Sequence, residues 1–270
     1  MRATWLPDVL RDAGLTVRTV DGWENRGSEL SAIYGIIGHH TASNKNSGNN
    51  PSLGICTNGR PDLAGPLCQC LLARDGSYDI IASGKANHAG DGGWPGWPSS
   101  GNSNTLAIEA ENDGIGEWWS AAIMDSYAVG SAAILEFLGK DESAFITHFE
   151  WCNPPGRKID PRGPWMQGGG GEDWWSGNYD VNDRSADAFR LRIGASMGMT
   201  AAQEQKLDKV LTLLDNYFGI DAEGNAKDIR KKIDYSYVEL ADENHSDTLG
   251  GRLVVVEEKV DKILNIIANV

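Results

Sequence analysis

The chain has 270 residues, 40% of them hydrophobic, enough for one well-filled core and a smaller appendage. A formal net charge of -14 argues against non-specific capture of nucleic acid, which needs clustered Lys and Arg, and against simple adsorption to an anionic membrane or wall polymer. The cysteines, Cys56, Cys68, Cys70 and Cys152, form no paired framework, a usage expected of free, buried thiols in a chain made in a reducing compartment.

In chain order, the first residues carry charges every few positions and lack an apolar centre, so they do not read as a signal peptide. No apolar run approaches the roughly 20 residues of a membrane span, and no membrane insertion is expected. The pattern predicts a helix over 4–13, an extended run at Leu15–Val20, and a buried strand over the apolar run Tyr34–His40. Residues 67–82 hold two β-rich runs around Arg74-Asp75-Gly76-Ser77, a hairpin signal that places Cys68 and Cys70 on one strand face. Another strand is expected at Thr105–Glu111, then an amphipathic helix over 119–138 with Ile123, Tyr127, Ile134 and Leu138 on one face. This order predicts an α/β fold with a mixed central sheet flanked by helices.

From Met166 a Gly-rich stretch reads as a loop, and a helix over 184–197 closes a first domain, 1–198. In the remaining region, 199–270, Leu207, Leu211, Leu214 and Phe218 step by heptad spacings, as do Leu253, Val256, Val260, Ile263, Ile267 and Val270. The last stripe is narrow and flanked by charged residues, so coiled-coil self-association into a homo-oligomer is expected ahead of packing back on the first domain.

The chemistry concentrates in two places. His39 stands at the end of the apolar strand, where a rigid element fixes its geometry, and the segment from His148 to Pro161 adds Glu150, Cys152 and Asp160. Zinc takes His nitrogen and carboxylate or thiolate ligands, and a catalytic site keeps three protein ligands. His39, His148 and one further residue of the later segment would complete such a set. Glu109 and Glu111 alternate along one strand face and supply carboxylates for proton transfer; His40 should point to the opposite face from His39.

Five motifs in order, Ile36-Ile37-Gly38-His39-His40-Thr41-Ala42, the hairpin around Arg74-Asp75-Gly76, Asn87-His88-Ala89-Gly90, Leu106-Ala107-Ile108-Glu109-Ala110-Glu111, and His148 followed by Gly156-Arg157-Lys158-Ile159-Asp160-Pro161, resemble the zinc-dependent N-acetylmuramoyl-L-alanine amidases. The resemblance spans about residues 34–165 and does not cover the tail beyond 199. It implies zinc as cofactor, with His39, His148 and Asp160 as ligands. The alternative third ligand, Cys152, is disfavoured because Pro154 and Pro155 prevent a continuing helix from presenting it with His148. The resemblance further implies Glu109 as the catalytic carboxylate, with Glu111 as an alternative or tuning group, and Lys158 as the cleft lysine that stabilises the oxyanion. His88 matches a residue that lines the substrate groove. Trp94 and Trp97, in the loop beside it, are expected to stack on substrate or to anchor that loop.

The residues of the first helix and Val20-Asp21-Gly22-Trp23-Glu24 look most like lysins of phages that infect actinobacteria. The resemblance therefore implies an endolysin that accumulates in the host cytoplasm and reaches the peptidoglycan after a holin opens the membrane. A non-catalytic peptidoglycan-binding protein and a muropeptide-recycling amidase are the alternatives. The retained ligand triad argues against the first, and the added tail against the second.

Overall fold

The computed structural model describes residues 1–163 and 185–198. The elements in order are α1 (Leu6–Asp12), β1 (Val17–Thr19), β2 (Ile36–His40), α2 (Leu53–Asn58), β3 (Gly59–Arg60), β4 (Leu63–Ala64), β5 (Cys70–Leu72) and β6 (Tyr78–Ile80). They continue with α3 (Gly101–Asn104), β7 (Leu106–Ala110), α4 (Ala121–Phe137), β8 (Phe145–Thr147), α5 (His148–Trp151) and α6 (Ser185–Ser196). Local chemistry explains several boundaries. Pro7 and Asp8 open α1 and Arg11 closes it, while Leu6 and Leu10, four apart, are its buried face. Ser120 caps α4 by accepting from the Ile123 amide, and Ile123, Tyr127 and Ile134 are buried along that helix, as their spacing requires.

Six strands form one mixed sheet in the order β1-β6-β5-β7-β2-β8. The β5–β6 hairpin is its antiparallel pair, and all other neighbours run parallel. Every residue of β2 is buried, as expected of a parallel strand covered on both faces. Register assigns the faces: Ile37 pairs with Ala107 and Ile146, and His39 with Glu109, so these side chains share one face. On that face Leu71 and Ala107 pack with Cys56 of α2, and Ile37 and Ile146 pack with Ala89 and Trp151. The other face carries Gly38 and Phe145, against which Tyr127 of α4 and Phe189 of α6 stack edge to face.

One strand expectation fails. Cys68 precedes β5 and packs beside Leu71, Ile81 and Ala107, whereas Cys70 pairs with Ile108 of the opposite face. The cause is Gln69, whose side chain enters the sheet plane: Oε1 accepts from the Ala107 amide at 2.7 Å and Nε2 donates to Gly84 O at 2.9 Å. The amides of Ile81 and Ala82 both bond to Gln69 O, so two residues oppose one and the alternation slips, as at a β-bulge. All four cysteines are buried and free, as expected. The Gly-rich stretch from 166 and the heptad positions from Leu207 onward lie outside the described residues. Among the described residues no helix is long and apolar enough to cross a membrane.

Candidate metal centre and catalytic cleft

Parallel strands deliver their C-terminal ends to one edge of the sheet, a general place for sites in such folds. Here β2 ends in His39-His40, β7 carries Glu109 directly opposite His39, and β8 runs straight into α5, whose first residue is His148. The run Thr147-His148-Phe149-Glu150 forms a capping box: Thr147 Oγ1 accepts from the Glu150 amide, and the Glu150 carboxylate accepts from the Thr147 amide. Arg190 of α6 holds that carboxylate at 2.8 Å. Phe149, in the first turn of α5, donates its amide to Asp160 O at 3.0 Å. This bond draws the later segment back onto the helix that bears His148.

Asp160 Oδ2 lies 2.9 Å from His39 Nδ1 and 3.0 Å from His148 Nδ1. One ligand atom from each residue lies within 4.8 Å of the others. The far nitrogens are engaged as well: His148 Nε2 donates to Ala89 O at 3.0 Å, and His39 Nε2 lies 3.1 Å from His88 Nδ1. A carbonyl only accepts, so Nε2 of His148 is the donor to Ala89 O, and Nδ1 is the atom turned toward Asp160. Two imidazoles with a carboxylate, gathered at these distances, are a donor set that suits zinc. Burial, with the nearby His148, depresses the His39 pKa to about 4, which favours the neutral ligand form. Burial acts to raise Asp160, but the hydrogen bonds from His148 and His39 outweigh it and hold the carboxyl well below its usual range.

Glu109 Oε1 is 4.0 Å from His39 Nδ1, with the side chain 18% exposed. Its Oε2 has no hydrogen-bond partner among the described residues. Burial first, then Cys56 and the charges of Asp160 and Glu111, push its pKa well above the carboxylate range, while the Lys158 charge opposes them. A carboxyl raised in this way and left unpaired is suited to accept and return a proton. Lys158 is half-buried, and its charge also depresses His39. Glu111, by contrast, is fully buried and bonded to hydroxyls and an amide of the segment after β2.

The other candidates separate clearly. Cys152 turns away from the triad: its thiol donates to Phe149 O at 3.3 Å and accepts from the Lys158 amide at 3.4 Å, shaping the turn that returns the chain to Asp160. Arg157 anchors the same turn to Asn153 O at 3.1 Å. His88 is buried at 9% exposure, with Nδ1 3.1 Å from His39 Nε2 and Nε2 3.4 Å from Thr105 Oγ1. His40 faces the other way and accepts from the Arg162 amide at 3.3 Å. Trp94 is not gathered with the ligands. It lines a concavity with Tyr34, Trp97, Lys140 and Asp141, where Tyr34 and Ala144 precede β2 and β8. The strand rise puts Tyr34 roughly 15 Å from His39, and Trp94 and Trp97 also pack against Ile37, Ala89, Ile146 and Trp151 on the face that carries His39.

Two contributors were missed from sequence. The Thr-x-x-Glu spacing at 147–150 was a readable capping signal. Tyr127 gave no such signal beyond its apolar period. Its hydroxyl accepts from the His39 amide at 3.0 Å and lies 3.1 Å from Ile108 O, over the seam between β2 and β7. Gly38 makes the room, since a Cβ there would lie 2.8 Å from that hydroxyl.

Residues 29–163 match the family model described as N-acetylmuramoyl-L-alanine amidase. Among solved structures the chain is similar to a selenomethionine AmpD derivative, at 19% identity over 56% of this chain and 89% of that one, with a TM-score of 0.44. It is similar to N-acetylmuramoyl-L-alanine amidase LysC from Clostridium intestinale at 18% identity, over 54% of this chain and 88% of that one, with a TM-score of 0.40. The catalytic domain of XlyA is similar at 15% identity, over 67% of this chain and 100% of that one, with a TM-score of 0.43. No curated protein sequence matches the chain.

Proposed function

The chain belongs to the N-acetylmuramoyl-L-alanine amidase family, and on that footing we propose that it is a zinc-dependent hydrolase cutting the amide between the lactyl group of N-acetylmuramic acid and L-alanine in bacterial peptidoglycan. The observation that carries this reading is the convergence of His39 Nδ1, His148 Nδ1 and Asp160 Oδ2 beside Glu109, whose Oε2 has no hydrogen-bond partner among the described residues. His39, His148 and Asp160 would hold the zinc, which supplies Lewis acidity that acidifies water and polarises a carbonyl. Glu109 takes the proton that the attacking water loses and returns it to the departing L-alanine amine as the carbon–nitrogen bond breaks. Lys158 offsets negative charge growing on the carbonyl oxygen. Thr147, Glu150 and Arg190 keep His148 in place, and Tyr127 and His88 do the same for His39.

In the same reading the protein is a phage endolysin that gathers in the host cytoplasm and acts on the wall once a holin opens the membrane. This rests on the lysin-like residues at its start and on a heptad-spaced region, 199–270, that serves wall targeting or homo-oligomer assembly. The test is release of stem peptide from purified actinobacterial peptidoglycan, with new L-alanine amino termini quantified for metal-loaded and chelator-treated protein. Termini that appear only with metal are the expected result. Tight wall binding without new termini would overturn hydrolysis in favour of a binding protein, and cleavage confined to soluble muropeptides would overturn the lysin role.

A further inference from the structure

Two carboxylates sit near the end of β7, Glu109 within the strand and Glu111 just beyond it, and their surroundings differ sharply. Glu111 is 0% exposed and both of its oxygens are engaged. Its Oε1 accepts from the Ser52 amide at 2.7 Å, and its Oε2 accepts from Thr41 Oγ1 at 2.7 Å, Ser43 Oγ at 2.5 Å and Ser52 Oγ at 3.0 Å. All four donors belong to one segment, 41–52, which joins the His39 strand to α2. The guanidinium of Arg74 stands 3.9 Å from Oε2 and is itself committed to Glu117 at 2.6 Å and to Ser43 Oγ at 2.9 Å.

That segment matters because of where it leads. Ser52 is the residue before α2, yet its side chain makes no cap bond to the helix; it bonds Glu111 instead. Cys56 of α2 then packs against Leu71 and Ala107 on the site face, and it adjoins Glu109 closely enough to perturb that carboxyl. A fully buried carboxylate whose nearest cation stands 3.9 Å away is costly unless its lone pairs are filled, and here the hydrogen bonds that fill them tie one segment to the end of β7.

We infer that Glu111 is a positioning residue which clamps segment 41–52 and the start of α2 over the site face beside Glu109 and His39, and that it takes no part in proton transfer. The inference rests on the hydrolase reading for its catalytic consequence, but not for its structural one. Glutamine at 111 keeps the shape and an oxygen for the Ser52 amide, and the serine and threonine hydroxyls can rotate to accept from its amide group. Alanine removes the acceptor shared by all four donors, leaving only the Thr41–Ser43 hydroxyl contact at 3.0 Å.

The experiment compares Glu111→Gln, Glu111→Ala and Glu109→Gln with wild type in two assays. The first is peptidoglycan hydrolysis, with kcat and KM separated. The second is trypsin cleavage after Lys45, the one tryptic position in the segment, which is exposed. Glu111→Gln should keep kcat within about threefold of wild type, whereas Glu111→Ala should lose about thirtyfold or more in kcat with KM changed less than about threefold. Cleavage after Lys45 should speed up about tenfold in Glu111→Ala and stay near wild type in Glu111→Gln and Glu109→Gln. Glu109→Gln should be inactive throughout.

A Glu111→Gln protein as inactive as Glu109→Gln would make Glu111 a proton carrier and overturn the inference. So would a Glu111→Ala protein with unchanged kcat and unchanged cleavage. Should Glu111→Ala fail to fold, Ser52→Ala replaces it; it removes one donor and should speed cleavage after Lys45 by a smaller factor, and unchanged cleavage would again overturn the clamp. If wild type hydrolyses nothing, the hydrolase reading fails, while the trypsin comparison still decides the clamp.

Discussion

Glu109→Gln should make the metal-free protein more stable while abolishing its activity. The Glu109 side chain is 18% exposed, its Oε2 has no partner among the described residues, and burial, then Cys56, Asp160 and Glu111, lift its pKa well above the ordinary 4.5. A group whose folded pKa is raised contributes stability that is present below its unfolded value and lost as pH rises through the folded one. At pH 7.5 the wild-type fold therefore carries an ionisation cost that glutamine does not. An unsatisfied buried polar group costs about 1–3 kcal/mol, and more when charged; glutamine retains a polar orphan, so the difference should be about 1–2 kcal/mol. Urea unfolding of both metal-free proteins, followed by tryptophan fluorescence, measures it. The variant should lead at pH 7.5, and its lead should shrink to less than about 0.5 kcal/mol at pH 4.5, where the carboxyl in the fold is protonated. Hydrolysis should fall by about 100-fold to 10,000-fold, the range of a lost acid–base group. A variant no more stable at pH 7.5, or one whose lead grows on acidification, would refute the account of a carboxyl whose pKa is raised by burial.

Asp160→Ala should lower zinc affinity, measured by calorimetric titration, by more than the roughly 10–100-fold typical of losing an outer partner, whereas Cys152→Ser should change it less than about threefold. The reverse outcome would transfer the third ligand to Cys152. Gly38→Ala drives a methyl group into Phe145 and to 2.8 Å from the Tyr127 hydroxyl, so it should cost roughly 1–3 kcal/mol of stability by overpacking, seen as a lower urea midpoint. Arg190→Ala leaves Glu150 without its cation in a pair only 13% and 16% exposed. A loss of roughly 3 kcal/mol is expected, together with weaker zinc binding through the loosened start of α5.

The sequence by itself determined the mixed α/β class, the strands around His39, the Asp75-Gly76 hairpin and Glu109, and the long helix after them, but not β8, the strand that leads into His148. Those features follow from period and from turn chemistry, which are local: alternating or continuous apolar runs, Asp75-Gly76 between two β-rich runs, and prolines at 154 and 155 that stop α5. The same locality put His40 on the opposite face from His39, because consecutive residues of a strand point to opposite sides. Where the pattern was broken by a single side chain, it misled. Gln69 entering the sheet plane parts Cys68 from Cys70, and nothing in the spacing of the two cysteines announces it.

Which side chains meet was decided by the tertiary structure. Asp160 reaches His148 because the Phe149 amide in the first turn of α5 donates to its carbonyl, and it reaches His39, 121 positions away, because β2 and β8 are parallel neighbours ending at one edge. Trp94 follows His88 closely in sequence yet lines a concavity with Tyr34, at the other end of β2. Glu109 and Glu111 are two positions apart with the same functional group, and only their neighbours distinguish them: one stands beside His39 with an oxygen that has no partner among the described residues, the other faces four donors from segment 41–52. Charge state and role depend on the partners that long-range packing supplies, and those partners come from strands and loops remote in the chain.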